Sequence, residues 1–156
     1  MRVGIAADHR GFELKKELIT AFQNDGIELI DFGASTNNSD DDYPDYVFPL
    51  ARAVSSGAID RGIAICGSGV GASIAANKIK NVRAALVHDL FSARQGVEHD
   101  DMNIICMGAQ LVTFPFAIEL IQTFLNAKFS GKLRHLRRLA KITQIEKIEM
   151  LNETDC

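Results

Sequence analysis

The sequence has few of the features that mark secreted, membrane-spanning or redox proteins. It contains only three cysteines in 156 residues, at positions 66, 106 and 156, and no CxxC pair. Such sparse cysteine usage is typical of reduced thiols, so we expect a cytoplasmic protein. No apolar run approaches the roughly 18 residues that a membrane helix requires, and we expect no membrane partner. Met1 to Gly4 lead directly into a strand-like run, so we expect no signal peptide.

An excess of positive charge is also lacking. Lys and Arg number 17 against 20 Asp and Glu, a formal net charge of -3, which gives no reason to expect a nucleic-acid partner. The length and a hydrophobic content of 47% predict a single domain over residues 1–156 with a sizeable core. Within it, we assign residues 128–156 as a basic C-terminal helical extension.

Short β-rich runs alternate with helical patterns along the chain. The predicted strands are Arg2–Ala7, Ile27–Phe32, Gly62–Cys66, Val82–Val87 and Asn103–Met107. The predicted helices are Gly11–Asn24, Pro44–Ser56, Gly71–Ile79, Leu90–Glu98, Phe114–Ala127 and a segment near Arg134–Met150. Apolar strands separated by helices indicate a parallel sheet covered on both faces. We therefore predict an α/β protein: a three-layer Rossmann-like fold with a mainly five-stranded parallel sheet and a C-terminal helical extension.

The first predicted helix shows a clear 3.6-residue period. Its apolar residues fall near one face: Phe12, Leu14, Leu18, Ile19 and Phe22. Three charged residues, Lys15, Lys16 and Glu17, lie opposite them. We therefore expect these charges to point away from the sheet.

Polar residues follow four of the predicted strands. Right-handed crossovers place the carboxyl ends of parallel strands along one edge of the sheet, where ligands bind near a switch in strand order. We therefore consider these segments together: Asp8-His9, Cys66-Gly-Ser-Gly69, His88-Asp89 and Gly108-Ala-Gln110.

The segment from Cys66 to Gly71 carries the strongest chemical signal. Three glycines alternate through a turn between a strand and a small-residue helix, which lets backbone N–H groups converge on an anion. The same field would favour a thiolate at Cys66, and a base beside an anion site indicates an enzyme. Cysteine also packs well as a small buried residue. We expect a chemical role for Cys66 and a structural role for Cys106.

Other candidate residues each have a structural alternative. Asp8 and His9 could bind hydroxyls and an anion, or cap a helix and occupy a loop. His99 has carboxylates nearby and could transfer protons, or be a solvated loop histidine. Arg134 and Arg138 lie four residues apart, which suits a phosphate but is also common on solvated helix faces.

A second interpretation is a dinucleotide-binding unit. Gly67, Gly69 and Ala72 satisfy the relaxed fingerprint, and Asp89 follows at about the expected 20-residue offset. However, the fingerprint follows the third strand instead of the first, and no room remains for a separate substrate domain.

The order and spacing of six motifs resemble the type B ribose-5-phosphate isomerases, a group that includes galactose-6-phosphate and allose-6-phosphate isomerases. The resemblance runs from Val3 to about Ile145 and rests on these residues: Asp8-His9, Tyr43-Pro44, Cys66-Gly-Ser-Gly-Val-Gly71, Ala75-Ala-Asn-Lys78, His99 and Arg134-His135. It implies a cofactor-independent and metal-independent aldose–ketose isomerase of a phosphorylated sugar. It also implies a homodimer or homotetramer whose active sites are shared between subunits.

The resemblance further implies roles for individual residues. Cys66 would move a proton between C1 and C2 through an enediolate, and His99 would assist opening of the sugar ring. Asp8 would hold hydroxyls, while the phosphate would contact His9, Arg134 and Arg138. The oxyanion would be stabilised by the turn, through Gly67, Ser68, Gly69, Val70 and Gly71. Further substrate-binding positions would be Tyr43, Asp100 and Gln110.

Two of the departures from the family pattern change the charge of the site. Asp100 stands where asparagine is usual, and Gln110 where an arginine commonly helps bind phosphate. Both changes make the site more negative, which opposes a phosphate dianion. The substrate is therefore either ribose-5-phosphate bound with fewer cations or another sugar phosphate, and a sugar-phosphate- or nucleotide-binding module without turnover is a third possibility.

Overall fold

The computed structural model describes residues 1–25 and 27–154. The strands are β1 (Val3–Ala7), β2 (Leu29–Asp31), β3 (Arg61–Cys66), β4 (Ala84–Leu86) and β5 (Ile104–Gly108). The helices are α1 (Phe12–Asn24), α2 (Pro44–Ser55), α3 (Val70–Ala76), α4 (Leu90–Asp100), α5 (Phe114–Asn126) and α6 (Leu133–Thr154). The final two residues of the predicted extension, including Cys156, lie outside the described residues. No described helix combines the length and apolar composition needed to cross a membrane.

The five strands form one parallel sheet in the order β2-β1-β3-β5-β4. Alternate residues of the central strands enter two separate cores, as Ile5 and Ala6 of β1 do. One core is completed by α1, α4 and α5, and the other by α2 and α3. This arrangement confirms the predicted three-layer α/β fold, because apolar strands need helices on both faces of the sheet.

Two predicted strands are longer than the observed ones. β2 and β4 have three residues each, whereas β1, β3 and β5 have five or six. β2 and β4 are the edges of the sheet and pair with one neighbour only. At the β4 edge, the side-chain amide of Asn77 takes the place of a missing strand. Its Oδ1 accepts from the Ala84 N–H at 2.9 Å, and its Nδ2 donates to the Ala84 carbonyl at 2.8 Å.

The expectation for Lys15 was wrong. Phe12, Leu18 and Phe22 are buried as predicted, but Lys15 is also buried, with 1% of its surface exposed. Its Nζ donates to both carboxylate oxygens of Asp31, at 2.9 and 2.7 Å, and to the Ala34 carbonyl at 2.6 Å. A buried ammonium is tolerated when it is paired and hydrogen-bonded, which the pattern of α1 alone could not show.

The chain reverses its direction of winding between β1 and β3. From β1 it crosses to β2 on one side, and from β2 it returns to β3 on the other. The segments that follow β1 and β3 therefore separate at the carboxyl edge of the sheet. Open α/β sheets bind ligands in the crevice at such a switch point.

Candidate active site

A cleft of about 350 Å³ lies at this switch point. Its walls come from the segments after β1 and β3, from the loop before α2, and from the turn after β5. The lining residues are Asp8, His9, Arg10, Asp41, Asp42, Tyr43, Cys66, Gly67, Ser68, Gly71 and Gln110. The structure therefore brings together eight of the predicted site residues from four distant parts of the chain.

Cys66 ends β3 and faces this cleft, although only 5% of its surface is exposed. Its Sγ accepts a hydrogen bond from the Gly69 N–H at 3.1 Å, which fixes the sulfur against the glycine turn. The turn is held from the other side by the end of β5. There the Ala109 N–H donates to the Cys66 carbonyl at 2.9 Å, and the Gln110 N–H donates to the Gly67 carbonyl at 3.1 Å.

Glycine is required at position 69 for two reasons. Gly69 has φ +81°, in the left-handed region, and it caps α3. A Cβ there would lie 2.5 Å from the Leu86 Cδ1 and 2.7 Å from the Met107 carbonyl carbon. The second contact is with backbone of β5, so it cannot be relieved by a side-chain rotation. Gly69 itself lies behind the cleft and does not line it.

We expect Gly69→Ala to lower the free energy of unfolding by about 3 kcal/mol, combining left-handed strain with backbone overlap. Gly57→Ala is the matched control, because Gly57 has φ +75° but no neighbouring atom within 4 Å of the methyl group that alanine would add. That variant should lose only about 1 kcal/mol. Chemical denaturation of both variants measures the difference, and equal losses would contradict the close approach of β5 to the turn.

Asp8 supports the turn that precedes α1 but is not the N-cap of that helix, which is Gly11. Its Oδ1 accepts from the N–H groups of Arg10 and Gly11, at 3.0 and 3.2 Å, which shapes the turn into α1. The residue nevertheless lines the cleft and is 5% exposed. One carboxylate thus supports the loop and forms part of the cleft wall.

His9 is held by a carboxylate that the sequence analysis did not single out. Asp41 Oδ1 accepts from the His9 N–H at 3.0 Å and lies 2.6 Å from the His9 Nδ1. Burial opposes ionisation of Asp41, but its contacts with His9 and the nearby Tyr46 lower its pKa overall. Its other oxygen is buried without a hydrogen-bond partner among the described residues. An ionised Asp41 favours a proton on the His9 Nδ1, which leaves Nε2 as the acceptor atom of the ring.

Tyr43 and Arg10 close the two ends of the glycine turn. The Tyr43 ring packs so closely on Gly71 that an added Cβ would lie 2.6 Å from its Cζ. The Arg10 side chain covers Gly67 in the same way, with its Cδ at 2.8 Å from such an atom. Ser68 is exposed at the cleft, and its Oγ accepts weakly from the Val70 N–H at 3.4 Å. Val70 is exposed and does not line the cleft.

A second group of predicted residues lies at the opposite edge of the sheet: His99, Asp100, Arg134 and Arg138. Since α4 runs back from the carboxyl edge, His99 in its last turn lies at the amino edge, away from Cys66. The start of α6 is joined to this edge by the Ser130 N–H, which donates to the Glu98 carbonyl at 3.0 Å. His99 is therefore helical and half-buried, and the alternative of a solvated loop histidine was wrong.

Arg134 and Arg138 lie on the exposed side of α6, one turn apart. Arg134 is next to His99, because both contact the buried ring of His135. Asp100 is exposed at the end of α4 and lines a different groove, beside β4. Within one chain, these four residues do not join the Cys66 cleft.

The site provides no cluster of metal ligands: no three His, Cys, Asp or Glu side chains of the described residues could hold a metal ion together. Cys106 is fully buried in β5, and this burial raises the pKa of its thiol strongly. That environment suits the predicted structural role for Cys106.

Comparison with known proteins shows which family the chain belongs to. A family model described as Ribose/Galactose Isomerase matches residues 3–142. The chain belongs to the ribose/galactose isomerase family. It is an isomerase, as the resemblance implied, and the dinucleotide-binding interpretation was wrong. Asp89, which carried part of that interpretation, caps α4 by accepting from the Ser92 N–H at 2.7 Å.

Similarity to individual relatives extends over nearly the whole chain. Ribose-5-phosphate isomerase B of Clostridium thermocellum is 45% identical, with a TM-score of 0.91 over 96% of this chain and 99% of that one. The Mycoplasma genitalium ribose-5-phosphate isomerase B with bound ribulose-5-phosphate is 39% identical, with a TM-score of 0.88 over 94% and 96%. Ribose-5-phosphate isomerase B of Escherichia coli is 38% identical over 93% of this chain and 96% of its own.

For this family member, sequence analysis missed three cleft residues: Arg10, Asp41 and Asp42. Arg10 directly follows Asp8-His9, so its neighbourhood was a usable signal. Asp41 lies in a polar acidic loop, 32 residues from His9 in sequence. No periodic pattern marks such a loop residue, and only the fold brings it to His9.

Proposed function

We propose that this isomerase interconverts ribose-5-phosphate and ribulose-5-phosphate through an enediolate, with Cys66 as the base. The observation that carries the proposal is the Cys66 sulfur, which is fixed by the Gly69 amide at the wall of a cleft lined by polar groups. An amide donor stabilises negative charge on the atom that it contacts. The proposal is further supported by the relatives named above.

The reaction conserves atoms and electrons without a cofactor. Cys66 removes the proton from C2 of the open aldose, the C–H electron pair forms a C1–C2 double bond, and negative charge develops on O1. A proton passes from O2 to O1, the protonated sulfur returns its proton to C1, and O2 becomes the ketone oxygen. Preformed donors such as the Ser68 hydroxyl would stabilise the oxyanion, and one such donor is often worth about 3 kcal/mol.

Each complete site would combine the cleft of one subunit with the second group of another. In one chain the two groups lie at opposite edges of the sheet, so a single copy does not join Cys66 with His99. Charge supports the same conclusion. The cleft is lined by three carboxylates (Asp8, Asp41 and Asp42) against the cation Arg10 and the imidazole of His9. A phosphate dianion would require further cations there, which Arg134 and Arg138 of a second copy would supply.

The exposed surface of the C-terminal half is consistent with such an assembly. Large apolar side chains remain uncovered on α6 and at the start of α4: Phe91, Leu133, Leu136, Ile142, Ile145 and Ile148. Several large apolar side chains left exposed on one helix are typical of a protein–protein interface. We propose a homodimer, or a pair of homodimers, with shared active sites.

One observation favours a second candidate substrate within the same chemistry. Gln110 lines the cleft at the position where the family commonly has an arginine, so the cleft has one fewer cation. Another phosphorylated pentose, hexose or tetrose is therefore the alternative substrate, including allose-6-phosphate and galactose-6-phosphate.

A panel of aldose phosphates distinguishes these candidates. We expect the highest kcat/KM with ribose-5-phosphate, measured by the appearance of ribulose-5-phosphate, because the relatives named above are ribose-5-phosphate isomerases. Unphosphorylated ribose is the matched control and should be turned over far more slowly. A higher kcat/KM with allose-6-phosphate or galactose-6-phosphate would replace the proposed substrate, and no turnover of any member would contradict aldose–ketose isomerisation.

A further inference from the structure

His135 is a fully buried histidine to which the proposed mechanism gives no role. It lies in the first turn of α6, with 0% of its surface exposed. Its Nδ1 is 2.7 Å from the Ser130 Oγ, and its Nε2 accepts from the Arg134 Nε at 2.9 Å. Its ring stacks on the ring of His99, with centroids 4.2 Å apart and planes at 36°. One buried side chain thus contacts both a proposed acid–base residue and a proposed phosphate ligand.

The hydrogen bonds determine the protonation of His135. A guanidinium has only donors, so the Arg134 N–H requires an unprotonated Nε2 on His135. The ring proton is then on Nδ1 and is donated to the Ser130 Oγ. Burial lowers the pKa of His135, as do electrostatic interactions with His99, Arg134, Arg138 and Lys132. His135 is therefore a neutral acceptor for Arg134.

This contact leaves the phosphate-binding end of Arg134 available. Arg134 is exposed, and its terminal nitrogens make no hydrogen bond to any residue in the described ranges. An unanchored arginine would lose side-chain entropy on binding a phosphate, whereas one already held at Nε loses less. The planar fork beyond Nε is then directed for a bidentate contact.

The ring of His135 also restricts the side chain of His99. The Gln95 Nε2 lies 2.9 Å from the His99 Nδ1, and the face of the His99 ring rests on His135. With the Gln95 amide donating to Nδ1, the neutral His99 carries its proton on Nε2. A neutral histidine in that form can donate a hydrogen bond from Nε2 to a sugar ring oxygen.

We propose that His135 is a positioning residue. It holds the side chains of Arg134 and His99 in one orientation before a sugar phosphate binds. This inference rests on the proposed function. It predicts that His135 acts on substrate affinity through Arg134 and not through general stability.

A double-mutant cycle tests this coupling. We expect His135→Leu to raise KM for ribulose-5-phosphate about tenfold, because the apolar side chain gives Arg134 no acceptor. Arg134→Ala should raise KM by at least as much, since phosphate contacts are shared by ground and transition states. The double variant should resemble Arg134→Ala alone. Effects that multiply, or an unchanged KM in His135→Leu, would overturn the proposal.

Two further variants guard against a folding defect. His135→Gln keeps a carbonyl oxygen that can accept from Arg134, and should recover most of the affinity lost in His135→Leu. Ser130→Ala leaves the buried ring in place but removes the acceptor of its Nδ1 proton, and should raise KM about threefold. If His135→Leu does not fold, the cycle is made with Ser130→Ala and Arg134→Ala, and multiplied effects there overturn the proposal equally.

The test of the positioning role of His135 can be distinguished from the test of the proposed isomerase reaction. Turnover of the aldose phosphate panel by the wild-type protein tests the function. The dissociation constant of inorganic phosphate, measured calorimetrically for the same cycle, tests the coupling of His135 to Arg134 without turnover. A cycle that is non-additive for phosphate but accompanied by no isomerase activity would retain the positioning role and reject the proposed reaction.

Discussion

Cys66→Ala should lower kcat for isomerisation by about 10³-fold, the range expected on removal of a positioned acid–base group. KM should change little, because in the proposed mechanism the thiol would contact the reacting carbons and not the phosphate. The small side chain would leave the glycine turn folded, since Gly69 is also held by the packing of β5 against it. Steady-state rates in both directions measure the effect.

Cys106→Ala is the matched control for this substitution. Cys106 is the other buried cysteine of the described chain and lies on the neighbouring strand. It is fully buried, with a raised thiol pKa, so its loss should leave kcat within about twofold of wild type and reduce stability by about 1 kcal/mol. Full activity in Cys66→Ala would reject the thiol as the base.

His99→Asn should affect the two directions of the reaction unequally. Aldose-to-ketose turnover is expected to fall about 100-fold, because the aldose enters as a closed ring that His99 would open by protonating its ring oxygen. Ketose-to-aldose turnover should fall far less. Ribulose-5-phosphate cannot form a five-membered ring, since the oxygen on C5 that would close it is esterified to phosphate. Initial rates with each sugar as substrate measure the difference.

His88→Asn is the control for this substitution, since His88 is exposed after β4 and lines no part of the cleft.

Mixing the Cys66→Ala and His99→Asn proteins tests whether each active site is shared between two subunits. If the two residues of a site come from different subunits, each mixed dimer has one intact site, and random exchange restores about a quarter of wild-type activity. No recovery in exchanged dimers would place Cys66 and His99 of one site on the same subunit.

The layers of the fold were predictable because they follow from short-range patterns. Apolar strands such as Ile104–Gly108 require helices on both faces. The glycines after Cys66 predict the end of a strand and the start of a helix. The lengths of β2 and β4 were not predictable, because strand order determines which strands are edges. The burial of Lys15 was likewise decided by Asp31, which the fold places beside it.

Half of the candidate site could be predicted from residues that follow strands. Asp8, Cys66 and Gln110 meet in one cleft because parallel strands end along a common edge. Asp41 could not be found this way, since it comes from a loop without a periodic signal. The separation of Cys66 from His99 also required the fold, because the direction of α4 determines at which edge its last turn lies.

The sequence by itself determined the chemistry available to this protein: a thiol at a glycine turn, histidines and arginines in a recognisable order, and an α/β framework. These depend on residue type and local spacing, which are written directly in the chain. Only the tertiary structure decided the partnerships, namely His9 with Asp41, Arg134 with His135, and Lys15 with Asp31. Two of these pairs join segments that are distant in sequence and that only the fold brings together. In the third pair, the burial of His135 determines how two neighbouring side chains are oriented.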